Sequence, residues 1–187
     1  MSPHAKYHTG MTLIELMVTL AIAIILIVVG IPSFRFTIQQ RQIDALVSDL
    51  LSDLTLARME ALRRGTKVRV CAQIDALTAG ALPSCNDPAT PVSYRTGWQV
   101  VYAAAATSDQ MLSHHEVQAT TGITSTSTFA STNGITFNSV GLLSGRTGTI
   151  AFCMPDSAGG VLQRTVVVNL QGRVRSTTFA HADSCGG

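Results

Sequence analysis

The feature that most constrains this chain is a long, mostly apolar segment near the N-terminus. It runs from Met11 to Ile31 and carries a single carboxylate, that of Glu15. At about 1.5 Å per residue, an α-helix over this segment is about 30 Å long, which matches the hydrocarbon thickness of a bilayer. An unpaired carboxylate at the bilayer centre costs about 2.5–3.5 kcal/mol. We therefore expect Glu15 to have a partner that a simple membrane anchor would not provide.

A short motif opens the apolar segment. A polar leader ends at Gly10, and the stretch MTLIE, Met11–Glu15, follows it directly. This motif resembles the type III leader and N-methylation motif of type IV pilins and type II secretion pseudopilins. The resemblance implies that prepilin peptidase, a membrane enzyme, removes residues 1–10 by cutting after Gly10 and methylates Met11. It also implies that Glu15 pairs with the N-terminal amine of a neighbouring subunit. Met11 departs from the pattern, because family members more often begin with Phe after the cut.

Two other interpretations of the N-terminus stay open at this point. A secretory signal peptide usually has an apolar region of about 7–15 residues followed by a small-x-small cleavage site. The run from Leu16 to Ile31 is at the long edge of that range, and Ile31-Pro32-Ser33 is a poor cleavage site. A plain signal anchor would leave Glu15 unexplained. The N-terminal residue of the mature protein distinguishes the three interpretations.

Helical periodicity continues past Pro32, over residues 33–65. Apolar residues recur there at three- and four-residue spacing, which is typical of an amphipathic helix. They are Ile43, Leu46, Val47, Leu50, Leu51, Leu54, Ala57, Ala61 and Leu62. Arg63 and Arg64 suit the C-terminal end of a helix, and Gly65 is a typical residue to follow it. We predict one long helix, with residues 11–32 in the membrane or filament core and residues 33–65 packed on a globular domain. Its polar face is expected to be solvated and contains Asp44, Asp49, Asp53 and Arg58.

From residue 66 onward the pattern changes to the alternation of β-strands, which predicts a β-rich headpiece over residues 66–187. The predicted strands are 66–71, 97–102, 112–119, 134–138, 148–153, 161–170 and 173–179. Residues 72–96 are predicted to form a loop, and the Ser- and Thr-rich residues 120–133 a loop or an edge strand. The last two strands form a hairpin. The predicted fold class is therefore α+β, with a long N-terminal helix packed on an antiparallel β-sheet or sandwich.

The composition favours an exported domain over a cytosolic enzyme. Charged residues make up only 13% of the 187 residues, and the formal net charge of +2 is too small for the whole protein to be called a nucleic-acid binder. The four cysteines form no C-x-x-C motif, so disulfides are expected in an exported chain. We favour Cys71–Cys85 and Cys153–Cys185, because each of these pairs would close a loop.

The sequence contains no convincing catalytic constellation. His114-His115-Glu116 is a dense group of possible metal ligands, but adjacent strand residues point to opposite faces, so a solvated strand or loop is expected. The only tryptophan, Trp98, is expected to pack in the core. No Ser-His-Asp pattern, nucleotide-binding loop or paired acid–base motif occurs. We predict that the protein is not an enzyme and uses no cofactor or metal.

The most distinctive feature of the headpiece is Gly172-Arg173-Val174-Arg175. In a strand that leaves a turn, Arg173 and Arg175 project to one face while Val174 points inward. Gly172 permits a tight turn. Each guanidinium is a planar fork of donors, and two of them side by side suit neighbouring phosphates.

Together with Gly-Trp-x-Val-Val at residues 97–101, this element resembles the FimT/GspH branch of minor pilins, and the resemblance spans nearly the whole chain. In FimT-type pilins a Gly-Arg-x-Arg element is associated with DNA capture during natural transformation, and it matches here residue for residue. The resemblance implies sequence-independent DNA binding through this element. Arg146 and Arg164 add positive charge to the same part of the chain and are further candidates. A soluble edge strand protected by its charge is the alternative interpretation.

The resemblance as a whole implies a minor type IV pilin that is inserted in the inner membrane and then assembled into an extracellular or periplasmic pilus. Its partners would be other major and minor pilins, prepilin peptidase, the inner membrane and DNA. Two alternatives stay open. One is a purely structural minor pilin that initiates or caps the filament, and the other is a GspH-like pseudopilin of a type II secretion system.

Overall fold

The computed structural model describes residues 11–72, 94, 97–104, 108–117, 122–129, 134–155, 160–182 and 185, without the side chains of 29–36, 103–109 and 178–182. The predicted leader, residues 1–10, lies outside the described residues. The chain divides into two compact units, Met1–Ile38 and Gln39–Gly187. The elements are α1 (Leu13–Arg64), β1 (Val68–Ala72), β2 (Gly97–Ala104), β3 (Ser108–Glu116), β4 (Thr124–Ser127), β5 (Ile135–Phe137), β6 (Gly148–Pro155), β7 (Val161–Val168) and β8 (Val174–Ala182).

The described part of the N-terminal unit is helical. The hydroxyl of Thr12 accepts a hydrogen bond from the backbone N–H of Glu15 at 3.3 Å, so Thr12 caps the helix. Glu15 lies in the first turn, where the negative charge of a carboxylate interacts favourably with the helix dipole. No helix in the part of the chain that is described in full is long and apolar enough to cross a membrane. The predicted membrane segment, residues 11–32, ends in residues whose side chains lie outside that part.

The second half of α1 has the predicted amphipathic pattern. Its buried apolar stripe comprises Ile43, Leu46, Val47, Leu50, Leu54, Ala57 and Ala61. The helix ends after Arg64 as predicted, and Gly65 follows with a positive φ of 62°. Glu60 accepts hydrogen bonds from Arg63 and Arg64, and these bonds lower the pKa of Glu60 to about 2. The guanidinium of Arg64 also lies 4.1 Å from the ring centre of Tyr102, which ties the helix end to β2.

Two antiparallel sheets make up the headpiece. The first has the strand order β3-β2-β1-β5 and the second the order β4-β6-β7-β8. The predicted fold class, α+β with antiparallel sheets, is confirmed. The Ser- and Thr-rich segment contains an edge strand, β4, which pairs with β6. The Gly-rich turn after β5 leads the chain from the first sheet to the second. The third strand begins at Ser108 rather than at residue 112, and most of the predicted loop 72–96 lies outside the described residues.

The helix and both sheets share one hydrophobic core. A single cluster of buried residues contains the apolar stripe of α1 together with side chains from both sheets, such as Val70 of β1 and Val166 of β7. Its largest fully buried side chains are Trp98, Tyr94, Phe137 and Phe152. The predicted burial of Trp98 is therefore confirmed.

The polar face of α1 is not simply solvated, contrary to the prediction. The carboxylate of Asp53 accepts hydrogen bonds from Nε1 of Trp98 at 2.7 Å and from Oγ of Ser113 at 3.0 Å. His115 stacks on the Trp98 ring with 4.3 Å between centroids, and its Nε2 lies 3.7 Å from Oδ2 of Asp49. The expectation of a solvated position is thus also wrong for His115. These contacts dock β2 and β3 on the helix.

One predicted disulfide, Cys153–Cys185, is confirmed, with 5.7 Å between the Cα atoms. Cys71 is disulfide-bonded as well. Its predicted partner, Cys85, lies outside the described residues. The Cys153–Cys185 bond attaches the C-terminal end of the chain to β6, and a bridge across this sequence separation typically contributes about 2–4 kcal/mol.

Candidate functional site

The Gly-Arg-x-Arg element lies at the turn between β7 and β8, and Asn169 organises this turn. The carbonyl of Asn169 accepts a hydrogen bond from the N–H of Gly172 at 2.9 Å, and its Oδ1 accepts one from the N–H of Arg173 at 2.9 Å. Its own N–H donates to the carbonyl of Arg173 at 3.1 Å. The backbone of Arg173 is therefore fixed without use of its side chain, which is exposed.

Gly172 is required by both its conformation and its surroundings. Its φ of 72° is in the left-handed region that L side chains rarely adopt. A Cβ at this position would lie 2.3 Å from the carbonyl oxygen of Gly141, in the loop 138–147 between β5 and β6. The N–H of Leu143 in the same loop donates to the carbonyl of Leu170 at 3.0 Å. The turn is thus held against a second loop of the headpiece.

The two arginines alternate with Val174 as the sequence predicts. Val174 pairs with Val168 and is partly buried against the core, whereas Arg173 and Arg175 are exposed. Arg175 pairs with Val167, which places it on the outer face of the second sheet. The end of this hairpin therefore presents two guanidiniums, each of which can donate hydrogen bonds to a phosphate oxygen.

A third arginine, which sequence analysis did not assign to this site, lies beneath the turn. Nε of Arg58, on α1, lies 3.1 Å from the position that a Cβ on Gly172 would occupy. This Nε is buried, and it has no hydrogen-bond partner among the described residues. Arg58 thus adds positive charge directly below the exposed arginines. The only signal in the sequence for this position of Arg58 is that the charge along the helix changes from negative at Asp53 to positive at Arg58.

Arg164, another arginine predicted to contribute to DNA binding, is placed differently from Arg173 and Arg175. It lies on the inner face of β7 together with Leu162 and Val166, and its side chain is only 13% exposed. Its Nε donates to Oδ1 of Asp44 on α1 at 2.6 Å. The charge of Arg164 is therefore used inside the headpiece.

Arg146 lies in the loop 138–147 and is exposed. It lines a cleft together with Lys67, which precedes β1, and Arg69 of β1. The structure therefore divides the predicted DNA-binding residues. Arg173 and Arg175 lie at one end of the β7–β8 hairpin, Arg146 lines a cleft, and Arg164 is paired with Asp44.

The remaining predicted residues form no further cluster in the described part of the chain. Met11 and His114 are exposed, and Gly10 lies outside the described residues. Within the described ranges, no group of three His, Cys, Asp or Glu side chains could hold a metal ion.

Comparison with solved structures shows a type IV pilin-like fold. The type IV minor pilin FimU of Pseudomonas aeruginosa matches with a TM-score of 0.53 and 18% identity, over 74% of this chain and 90% of FimU. A second crystal form of FimU gives a TM-score of 0.50 at 18% identity, over 72% and 91%. The minor pseudopilin EpsH of the Vibrio cholerae type 2 secretion system gives 0.49 at 12% identity, over 71% and 93%. No curated protein sequence matches the chain.

The fold is thus pilin-like, and two family models match the sequence. The model described as type II transport protein GspH matches residues 46–172, and the prokaryotic N-terminal methylation motif matches residues 5–31. The chain belongs to the GspH family and carries the methylation motif. Membership implies processing by prepilin peptidase and association with other pilin-like subunits. The GspH match ends at Gly172, so it does not include Arg173 or Arg175.

Proposed function

We propose that this protein is a minor type IV pilin that is built into a pilus and binds DNA without sequence preference for uptake in natural transformation. The observation that carries the DNA-binding part is the pair Arg173 and Arg175, exposed on a turn whose backbone is fixed by Asn169. The methylation motif and the likeness to FimU support incorporation into a pilus. The protein would be held in the inner membrane before assembly, cleaved after Gly10, and found in the periplasmic or extracellular filament afterwards.

The arrangement suits the phosphate backbone of DNA. Guanidiniums bind phosphate oxygens through paired N–H groups, and such contacts position a protein on DNA without reading its sequence. Two to four phosphate contacts give a log–log salt slope of about −2 to −4 and a non-specific affinity of roughly micromolar to 100 micromolar. Binding of this strength becomes useful on a filament, because several subunits can then hold one long DNA molecule.

The test is DNA binding by the full-length protein in detergent, measured by fluorescence anisotropy with a short duplex at several salt concentrations. Replacing both residues, Arg173→Ala with Arg175→Ala, should weaken binding roughly tenfold at low salt. It should also make the salt slope shallower by about 1 per arginine. The unfolding temperature should not change, because both side chains are exposed.

A matched control is Arg41→Ala, which removes one charge from an exposed position on the helix. Compared with Arg175→Ala alone, it should leave affinity and salt slope nearly unchanged. Equal effects of the two single variants would show only a general dependence on net charge. Unaltered binding by the double arginine variant would refute the DNA-binding site.

Incorporation into a filament is tested separately. Mass spectrometry of the mature protein should find an N-methylated Met11 as its first residue, and Glu15→Ala should be poorly incorporated into filaments. An unprocessed N-terminus together with normal assembly of the Glu15 variant would refute this part of the proposal.

A pseudopilin of a type II secretion system is the second candidate, favoured by the description of the GspH family as a type II transport protein. Deletion of the gene separates the candidates. A deletion strain that loses protein secretion but keeps normal DNA uptake supports the pseudopilin. A deletion strain that loses its pili supports a purely structural minor pilin if the purified Arg173 and Arg175 double variant also binds DNA normally. For all three we propose that the protein is not an enzyme, because the sequence offers no acid–base or nucleophile motif.

A further inference from the structure

The cleft that contains Arg146 opens between the two sheets of the headpiece. The first sheet contributes Arg69 and Thr136, Lys67 lies just before β1, and the segment after β4 contributes Phe129. Four residues of the loop 138–147, Leu143 to Arg146, line the cleft as well. The volume of the cleft is about 690 Å³, which is within the usual range for sites that enclose a small-molecule-sized group.

The charge of the cleft favours an anion. Three of the described residues that line the cleft are cationic, namely Lys67, Arg69 and Arg146. None of the described lining residues is acidic. Lys67 and Arg146 are exposed, so their charged ends are accessible, whereas Arg69 is half-buried and already engaged in an interaction of its own. Concave sites lined by one sign of charge focus the electric field and concentrate oppositely charged groups.

The uncharged walls favour a nucleotide over a simple anion. The ring of Phe129 packs directly over Gly148, where a Cβ would lie only 2.5 Å from the ring atom Cε1. Leu143 adds a second apolar side chain, and Thr136 and Ser144 supply hydroxyl groups. Proteins that bind single strands combine the same parts, with cations for the phosphates and an aromatic ring for the base.

The loop 138–147 links the cleft to the arginine turn. Leu143 lines the cleft, and its backbone N–H donates to the carbonyl of Leu170 in the turn that carries Arg173. A strand bound at Arg173 therefore needs to extend only along the loop 138–147 to reach the cleft. A base paired in a duplex cannot enter, because it would first have to leave the stack.

We propose that this cleft accepts one nucleotide of a single DNA strand whose neighbouring phosphates lie on Arg173 and Arg175. This inference rests on the proposed DNA-binding function and adds a preference for single-stranded over duplex DNA. Lys67 and Arg146 hold the phosphate of the inserted nucleotide, and Phe129 provides the wall for its base.

The experiment compares a 12-nucleotide oligo(dT) with a duplex of the same length, using the full-length protein in detergent and fluorescence anisotropy. Lys67→Ala with Arg146→Ala should weaken binding of oligo(dT) roughly tenfold and change duplex binding less than about twofold. Arg173→Ala with Arg175→Ala should weaken binding of both. Arg41→Ala serves as the charge control, and Arg146→Glu is a second variant that tests the same site with one substitution.

Each outcome decides between explanations. Equal weakening of both probes by the Lys67 and Arg146 variants, or no weakening, overturns the cleft proposal and leaves the turn intact as a duplex site. If the cleft variants weakened DNA binding and the Arg173 and Arg175 double variant did not, the proposed DNA-binding role of the turn would be refuted instead. Thymidine monophosphate should compete with oligo(dT) better than inorganic phosphate does. Equal competition by the two would show a small-anion site and overturn the assignment to a nucleotide.

Discussion

Nε of Arg164 on β7 lies 2.6 Å from Oδ1 of Asp44 on α1. The arginine side chain is 13% exposed and the aspartate 46%, so the pair lies at the margin of the core. It joins the second sheet to the helix at a point where the neighbouring inner-face residues are apolar. In the structure the arginine charge is engaged in this pair.

Arg164→Ala should therefore lower the stability of the protein and leave DNA binding intact. Loss of a partly exposed ion pair costs about 1 kcal/mol. Thermal unfolding measures the loss of stability. The affinity for duplex DNA, measured by fluorescence anisotropy, should stay within about twofold of that of the parent protein. Asp44→Asn should cause a similar loss of stability. A fall in affinity as large as that of the Arg173 and Arg175 double variant would contradict the position assigned to Arg164.

Gly172→Ala should weaken DNA binding although it leaves both arginines in place. The new Cβ would lie 2.3 Å from the carbonyl oxygen of Gly141, so the turn has to move away from the loop 138–147. We expect a destabilisation of about 1–3 kcal/mol together with a lower affinity. Chemical denaturation and anisotropy measure the two effects.

Gly65→Ala is the matched control for this substitution. Gly65 also has a positive φ, of 62°, but apart from its sequence neighbours no atom of the described residues lies within 4 Å of the position of its Cβ. This variant should lose only about 1 kcal/mol of stability, the steric cost of a Cβ in the left-handed conformation, with DNA binding unchanged. If both alanine variants weakened DNA binding equally, the contact with Gly141 would not be the reason.

Glu60 should contribute to stability in a pH-dependent way. Its hydrogen bonds with Arg63 and Arg64 lower its pKa from 4.5 to about 2. A lowered pKa in the folded state gives a contribution that is fully present above pH 4.5 and is lost as the pH falls towards 2. Glu60→Gln should therefore unfold at a lower denaturant concentration than the parent at pH 7, and the difference should disappear near pH 2. A difference that did not vary with pH would point to packing rather than charge.

Removal of the Cys153–Cys185 bond should destabilise the headpiece. The two cysteines are 32 residues apart in the sequence, and freeing a loop of this length costs about 2–4 kcal/mol. Replacing both with serine should lower the unfolding temperature while the bond at Cys71 remains intact. Mass spectrometry with a thiol-blocking reagent verifies that state. Unchanged unfolding of the double serine variant would show that the bond adds nothing to stability.

Elements set by local sequence could be predicted. The amphipathic stripe and Gly65 defined the end of α1, and alternation located most strands. The turn at Gly172 could also be anticipated, because glycine followed by alternating residues has a local meaning. For the same reason the inward position of Val174 between two exposed arginines agrees with the prediction.

Contacts between residues far apart in the sequence could not be predicted. Arg164 and Asp44 are 120 residues apart, and each is of a charged type that usually lies on the protein surface. Asp53 binds Trp98 and Ser113 although its place on the helix predicts solvent. Arg58 reaches Gly172 only because a hairpin from the other end of the chain packs on α1. Periodicity states which face is apolar, but it does not state which polar groups meet across the core.

The bond between Cys153 and Cys185 also has a consequence for the order of maturation. Thiols stay reduced in the cytoplasm and pair in oxidising compartments. Cys185 can therefore be joined to Cys153 only once both residues are in an oxidising compartment, when the strands of the headpiece can already be folded. Newly made and finished subunits differ covalently, and a thiol label applied to living cells would tell the two populations apart.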